Sequence, residues 1–218
     1  MTKITEQDKQ GFNRVLYNRR DIRSNFLSDS VDENVLMDIL TAAHHAPSVG
    51  YSQPWNFIVI KDDKVKQDVY QAFTEANLEA REMFDDQRKD LYQSLKLQGI
   101  LDAPINICIT CDRSRGGEVV LGKTHQPDMD LYSTVCAVQN LWLAARAENI
   151  GVGWVSIIKE DVLGQILKLP GQVVPVAYLC VGHVSSFPEI PELETKQWEV
   201  REKVKKLIYN DVWGNQVS

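Results

Sequence analysis

Arg19-Arg20-Asp21-Ile22-Arg23 puts three guanidinium groups and one carboxylate into five residues of a chain whose net charge is −6. Arginine presents a rigid fork of donors that matches phosphate and carboxylate geometry. The run reads as an anion site, against the plainer reading of a solvated charged loop. Asp21 partly cancels the field an anion wants. Either it aims the arginines or it has a chemical task of its own.

Two more stretches carry groups suited to a ligand. Pro47-Ser48-Val49-Gly50-Tyr51-Ser52-Gln53-Pro54-Trp55 combines hydroxyls, an amide and aromatics with a glycine that permits close backbone approach. Its plainer reading is a helix-to-strand connection. Gly151-Val152-Gly153-Trp154-Val155-Ser156 sets glycines before an apolar strand that carries one serine. Such a serine is more often a small filler than a catalyst. His44 and His45 point about 100° apart on a helix and read as helix-end residues that complement the C-terminal dipole.

Other chemistries lack their motifs. There is no phosphate-loop or dinucleotide glycine fingerprint, no paired-histidine metal spacing and no nucleophile elbow. Cys108 and Cys111 form a Cys-x-x-Cys, but on a strand, where that spacing sends the side chains to opposite faces. With no second pair, no zinc or redox role follows. Cys108, Cys111, Cys136 and Cys180 all lie in or beside apolar segments and read as buried free thiols.

The elements that must position these groups follow from periodicity. Helices are expected over 5–18, from Ser30-Val31-Asp32-Glu33 (a capping-box spacing) to Pro47, over 63–98 with a break near 84–90, over 129–148 and over 160–168. Asn149-Ile150-Gly151 is a plausible helix stop. Strands are expected over 56–60, 105–110, 153–158 and 174–182. Helices and strands alternate, so the class is α/β or α+β. The segment after residue 186 is charged, with a few apolar anchors, and looks poorly able to form a core alone. The 218 residues suit one large domain. The acidic balance disfavours nucleic-acid and membrane-surface binding, and no apolar run approaches the ~18–20 residues of a membrane span. A polar N-terminus without a signal-peptide pattern points to the cytoplasm.

Taken together, the 19–23 run, Ala46-Pro47-Ser48 with Gln53-Pro54-Trp55, and Gly151-Val152-Gly153-Trp154 resemble the nitroreductase-like flavoprotein superfamily. Several features resemble its flavin-destroying branch, the 5,6-dimethylbenzimidazole synthases. They are Asp21 within the arginine run, Ala43-His44-His45-Ala46, Gly153-Trp154-Val155-Ser156-Ile157, Leu179-Cys180-Val181-Gly182-His183-Val184, and the ending Pro191-Glu192-Leu193-Glu194 with Trp198 and Asp211-Val212-Trp213-Gly214. The resemblance implies an α+β fold, a mixed central β-sheet flanked by helices, in a single domain spanning 1–218. It implies a domain-swapped homodimer with flavin at the subunit interface and residues 187–218 as an arm packing on the partner. It also implies a reaction in which reduced FMN is the substrate and dioxygen the co-substrate. The products are 5,6-dimethylbenzimidazole, the lower ligand of vitamin B12, and erythrose 4-phosphate. A separate flavin reductase would supply the reduced FMN from NAD(P)H. By the same resemblance Arg19, Arg20, Asp21, Ile22, Arg23, Ser52, Leu101 and Ser156 bind the flavin, with Asp21 and Ser156 catalytic. Tyr51 or Trp154 and a lid from residues 84–100 would exclude water. The resemblance leaves open an FMN-retaining nitroreductase, enone reductase or reductive dehalogenase, and a flavin-binding module without catalysis.

Overall fold

The computed structural model describes residues 3–216. The chain divides at Phe187/Pro188 into two compact units. In the first unit the order is α1 (Glu6–Asn18), α2 (Glu33–His44), β1 (Trp55–Ile60), α3 (Asp63–Arg81), α4 (Asp86–Gln93), β2 (Ile105–Asp112), α5 (Met129–Ala147), β3 (Gly151–Val155), α6 (Glu160–Ile166) and β4 (Val173–Gly182). The second holds one short helix, α7 (Glu192–Thr195), a single tight turn at Val204–Leu207, and a Tyr209–Trp213 ring stack.

The four strands form one sheet in the order β1-β2-β4-β3, every named pair antiparallel. The mixed sheet implied by the resemblance is therefore corrected. Among the described residues its parallel component is a single bridge, Asp21 to Val152. β2 is buried along nearly its whole length because helices cover both faces. Ile105, Ile107 and Ile109 point to one face, where Leu36, Ile39 and Ala43 of α2 meet Val138, Leu141 and Ala145 of α5. Cys108 points to the other, with Val69 and Phe73 of α3 and Leu163 of α6. Each large aliphatic side chain sealed this way contributes about 1.5–3 kcal/mol. The β2–β4 register slips between Ile109 and Thr110, opposite Pro175, which has no N–H to give the ladder.

Local chemistry sets the helix ends. Asp32, not Ser30, caps α2: its carboxylate accepts from the Asn34 and Val35 amides at 2.8 and 3.3 Å, and Glu33 pairs instead with Lys61. The expected break after α3 falls at 82–85. Asn149, at φ +57°, ends α5 in the left-handed conformation that closes helices. His44 accepts a bond from the Trp55 indole N–H at 3.1 Å and so ties α2 to β1, a more specific role than dipole complementation. Of the four thiols, Cys136 is not buried; it lies on the outer face of α5 beside exposed Tyr132 and Val135. No helix among the described residues is long and apolar enough to cross a membrane.

Candidate functional site at the free edge of the sheet

After α1 the backbone at Arg19 turns extended and runs along β3, the edge strand. The Ile22 amide donates to the Val152 carbonyl at 3.0 Å. Gly153 makes this contact possible, while Gly151 makes room for Val184. A Cβ on Gly153 would sit 1.9 Å from the Ile22 carbonyl oxygen, and one on Gly151 would sit 2.4 Å from Val184 Cγ1. Gly153 is thus the slot for the arginine segment, a role the Gly-x-Gly spacing did not announce. Ile22 itself is buried with its N–H committed; it anchors the segment.

The three arginines diverge. Arg20 turns back, and its Nη1 donates to the Tyr17 and Arg19 carbonyls at the end of α1. The Arg19 guanidinium lies 4.5 Å from the centre of the Trp142 ring, a cation–π contact. The Trp142 indole N–H donates to the Arg20 carbonyl at 3.2 Å. Arg23 Nε and Nη2 donate to Asp21 Oδ2 at 3.0 and 2.6 Å. Asp21 Oδ1 accepts from the Trp154 amide at 3.0 Å. A carboxylate accepts at about four positions, so one remains for a ligand. Arg23 Nη1 is buried with no partner in the protein. Burying a donor unpaired costs about 1–3 kcal/mol, which a ligand acceptor would relieve.

Other expected residues gather at the same edge. Ser156 lies just past the end of β3, exposed, two residues and about 7 Å along the chain from Trp154. Leu101 sits partly exposed in the turn after Gly99. A Cβ on Gly99 would touch the Phe26 ring at 2.7 Å and the Arg23 carbonyl at 3.3 Å, so this turn abuts the arginine segment. The Asn106 side chain steadies it by donating to the Ile100 carbonyl at 2.9 Å.

Ser52 lies elsewhere. Trp55 pairs with Cys111, which pairs with Val174, whereas Val152 pairs with Val181. Seven residues along β4 and three strand spacings across the sheet put the two corners on the order of 25 Å apart. No small-molecule ring can touch Ser52 and Asp21 of one chain. Yet Ser52 has the mark of a binding residue, a buried hydroxyl oxygen without a partner. Its loop is strained: Tyr51 and Gln53 join Gly50 at φ between +47° and +54°, at about 1–2 kcal/mol for each non-glycine residue. Tyr51 is almost fully exposed.

Reading residue types missed Trp142 and Arg115. Trp142 looked like one more apolar position of α5. Arg115, whose Nη1 donates to the Gln53 and Trp55 carbonyls at 2.8 and 2.9 Å, had only the following glycine pair as a hint of a turn. Burial holds three of the thiols in their protonated form. Burial pushes Cys108 and Cys180 up to about 12, and the Asp21 carboxylate adds to the effect on Cys180. Burial also raises Cys111.

Known proteins share this architecture. A model of the Nitroreductase family matches residues 16–183. A 5,6-dimethylbenzimidazole synthase of Rhodospirillum rubrum is 38% identical over 193 residues, covering 88% of this chain and 91% of that protein. One from Rhodobacter capsulatus is 32% identical, covering 88% and 92%. The crystal structure of an iodotyrosine deiodinase bound to FMN and 3-iodo-L-tyrosine superposes with a TM-score of 0.70 at 19% identity, covering 83% of this chain and 94% of that one, a likeness of fold. The matched model spans the arginine segment, the Ser52 loop and the β3 edge alike, and this chain belongs to the nitroreductase family.

Proposed function

We propose that this chain makes 5,6-dimethylbenzimidazole by oxygen-dependent fragmentation of reduced FMN, releasing erythrose 4-phosphate. The observation that carries the proposal is Asp21, held on the edge of β3 by the Trp154 amide and Arg23 with one acceptor position open. The synthases of the two Rhodospirillum and Rhodobacter relatives lend it their chemistry. The residues fit a flavin. Buried, unpartnered Arg23 Nη1 suits a phosphate or carbonyl acceptor, and buried, unpartnered Ser52 Oγ suits a polar ring edge.

When bound, reduced FMN supplies the redox-active ring that consumes dioxygen and is itself cut, so it is a substrate and not a surviving cofactor. The protein's part is to bind, orient, shield and move protons. Arg19 and Arg23 hold anionic and carbonyl groups, while Arg20 and Ile22 set the backbone that carries them. Asp21 accepts a proton from the ribityl chain through its open position, and Ser156 Oγ hydrogen-bonds the ring. Trp154, 6.2 Å from Trp142 between ring centres, gives the site an apolar wall against water. The Leu101 turn and the α4 region supply cover.

The distance between Ser52 and Asp21 supports a homodimer in which each site takes Ser52 from one subunit and the 19–23 segment from the other. Exposed apolar side chains on the helices (Phe12, Tyr17, Met37, Tyr132, Val135) and in the last 31 residues (Val200, Val204, Leu207, Trp213) are suited to such an interface and to an arm laid on the partner. With no nicotinamide fingerprint, reduced FMN comes from a separate NAD(P)H-dependent reductase. The test is to incubate the chain with FMN, a flavin reductase, NADH and air. Permanent loss of flavin absorbance with matching 5,6-dimethylbenzimidazole is expected. Flavin that is merely recycled, or bound and left intact, overturns the proposal.

A further inference from the structure

We infer that Arg115 is a positioning residue for the flavin site, acting through Ser52. The inference rests on the flavin reading only in that Ser52 meets FMN. The loop bearing Ser52 holds two non-glycine residues, Tyr51 and Gln53, at φ +53° and +47°. Such a conformation persists only where the surroundings over-determine it. Here both peptide groups of Gln53 are held by side chains. Its N–H donates to Ser48 Oγ at 3.0 Å, and its carbonyl accepts from Arg115 Nη1 at 2.8 Å. The same Nη1 reaches the Trp55 carbonyl at 2.9 Å, and Nη2 donates to Asn56 Oδ1 at 2.6 Å. One planar fork therefore spans the loop from Gln53 to Asn56. A lysine, with a single rotating ammonium, cannot reproduce that span.

The turn that carries Arg115 is also pressed onto Ser52. A Cβ on the next residue, Gly116, would lie 3.3 Å from Ser52 Cβ and 2.9 Å from Val120 Cγ2. A Cβ on Gly50 would lie 2.7 Å from Val120 Cγ1. Ser52 is thus confined between its own left-handed loop and the Arg115 turn, its hydroxyl buried and without a protein partner. The fork is spent on the loop's carbonyls and the Asn56 amide, with the Asp112 carboxylate 3.7 Å away to balance its charge. Its effect on a ligand must pass through the residue it holds.

The test is a double-mutant cycle on the full chain. FMN affinity is read by fluorescence titration, and the unfolding temperature is read alongside. Arg115→Gln, Arg115→Lys and Ser52→Ala are each expected to weaken FMN binding about tenfold. The Ser52→Ala/Arg115→Gln double variant is expected to bind within about twofold of Ser52→Ala alone, because the residue being positioned is already gone. A loss in Arg115→Lys, which keeps the charge, marks the fork geometry as the cause. If Arg115→Gln does not fold, Arg115→Lys with and without Ser52→Ala carries the same cycle. Wild-type affinity in the Arg115 variants, or losses that multiply in the double variant, would overturn the inference. So would a Ser52→Ala chain that binds FMN as the wild type does. Failure of the wild-type chain to bind FMN would instead overturn the flavin reading itself.

Discussion

Gly153→Ala is the sharpest perturbation the structure offers. The added methyl would sit 1.9 Å from the Ile22 carbonyl oxygen, a backbone atom that no rotamer change can remove. An ordinary carbon–oxygen contact needs well over 3 Å, so the 19–23 segment must retreat from β3 by more than about 1 Å. A 1 Å retreat stretches the Ile22–Val152 bond from 3.0 Å beyond hydrogen-bonding range. It also pulls Asp21 Oδ1 off the Trp154 amide. The first bond is worth about 1 kcal/mol and the second, to a carboxylate, about 1.5–3 kcal/mol. A destabilisation of about 2–4 kcal/mol follows, which for a chain of this length lowers the unfolding temperature by roughly 5–15 °C. Asp21 and Arg23 are displaced together, so product formation falls further than stability alone explains. Gly11→Ala is the control. It lies within α1 with nothing within 4 Å of its Cβ position, and it should stabilise by about 0.5–1 kcal/mol. Thermal scans of both variants, with a 5,6-dimethylbenzimidazole assay below the melting range, decide the matter. A Gly153→Ala chain that melts and turns over like the wild type would refute the role given to this edge.

Asp21→Asn keeps an acceptor for the Trp154 amide but sets an NH2 group against Arg23. Flavin should still bind while product formation drops about 100-fold or more; full product yield would remove Asp21 from the chemistry. Subunit mixing tests the composite site. Asp21→Asn and Ser52→Ala chains, each poorly active at limiting flavin, should regain activity when refolded together, because each heterodimer then holds one intact site. No recovery in verified heterodimers would mean that each site takes Asp21 and Ser52 from one and the same chain, and would overturn the composite site. The buried thiols predict an alkaline limit. Burial pushes Cys108 and Cys180 from an ordinary 9.0 up to about 12 in the folded chain, so the fold holds their protons more tightly than the unfolded chain does. Their contribution is complete below about pH 9 and is lost as pH rises toward 12. Denaturant midpoints should fall across that window, and midpoints that rise there would contradict the assignment.

Much of the fold was legible because burial imposes periodicity. Leu36, Ile39 and Ala43 in α2, and the uninterrupted apolar run of β2, announce what they pack against. The failures have physical causes. Ser30 and Asp32 are both good helix caps, and the spacing to Glu33 favours the wrong one; only the backbone path decides. α5 is apolar nearly all round, so its pattern cannot separate a core face from the exposed stripe that carries Tyr132, Val135 and Cys136. The site was legible in its residue types but not in its division of labour. Which arginine meets a ligand depends on contacts with Trp142 and with an edge strand 133 residues further along the chain.

Asp21 began as a choice between aiming the arginines and having its own task. Under the proposed function these become one arrangement. Aiming Arg23 uses Oδ2, accepting from Trp154 uses one side of Oδ1, and what is left is a single acceptor position whose direction those bonds fix. A carboxylate with freer oxygens would be a less directed base, and one with none would be only a strut. The same reasoning applies to Ser52, which the resemblance places with Asp21 at a flavin site on the subunit interface. The strand order β1-β2-β4-β3 sends their elements to opposite edges, and the strand registers send them to opposite ends. On the proposed reading a single chain carries two half-sites, with Arg23 Nη1 buried and unpaired at one corner and Ser52 Oγ at the other. A two-fold pairing that brings unlike corners together completes two sites at once, and an isologous dimer is the simplest assembly that does so.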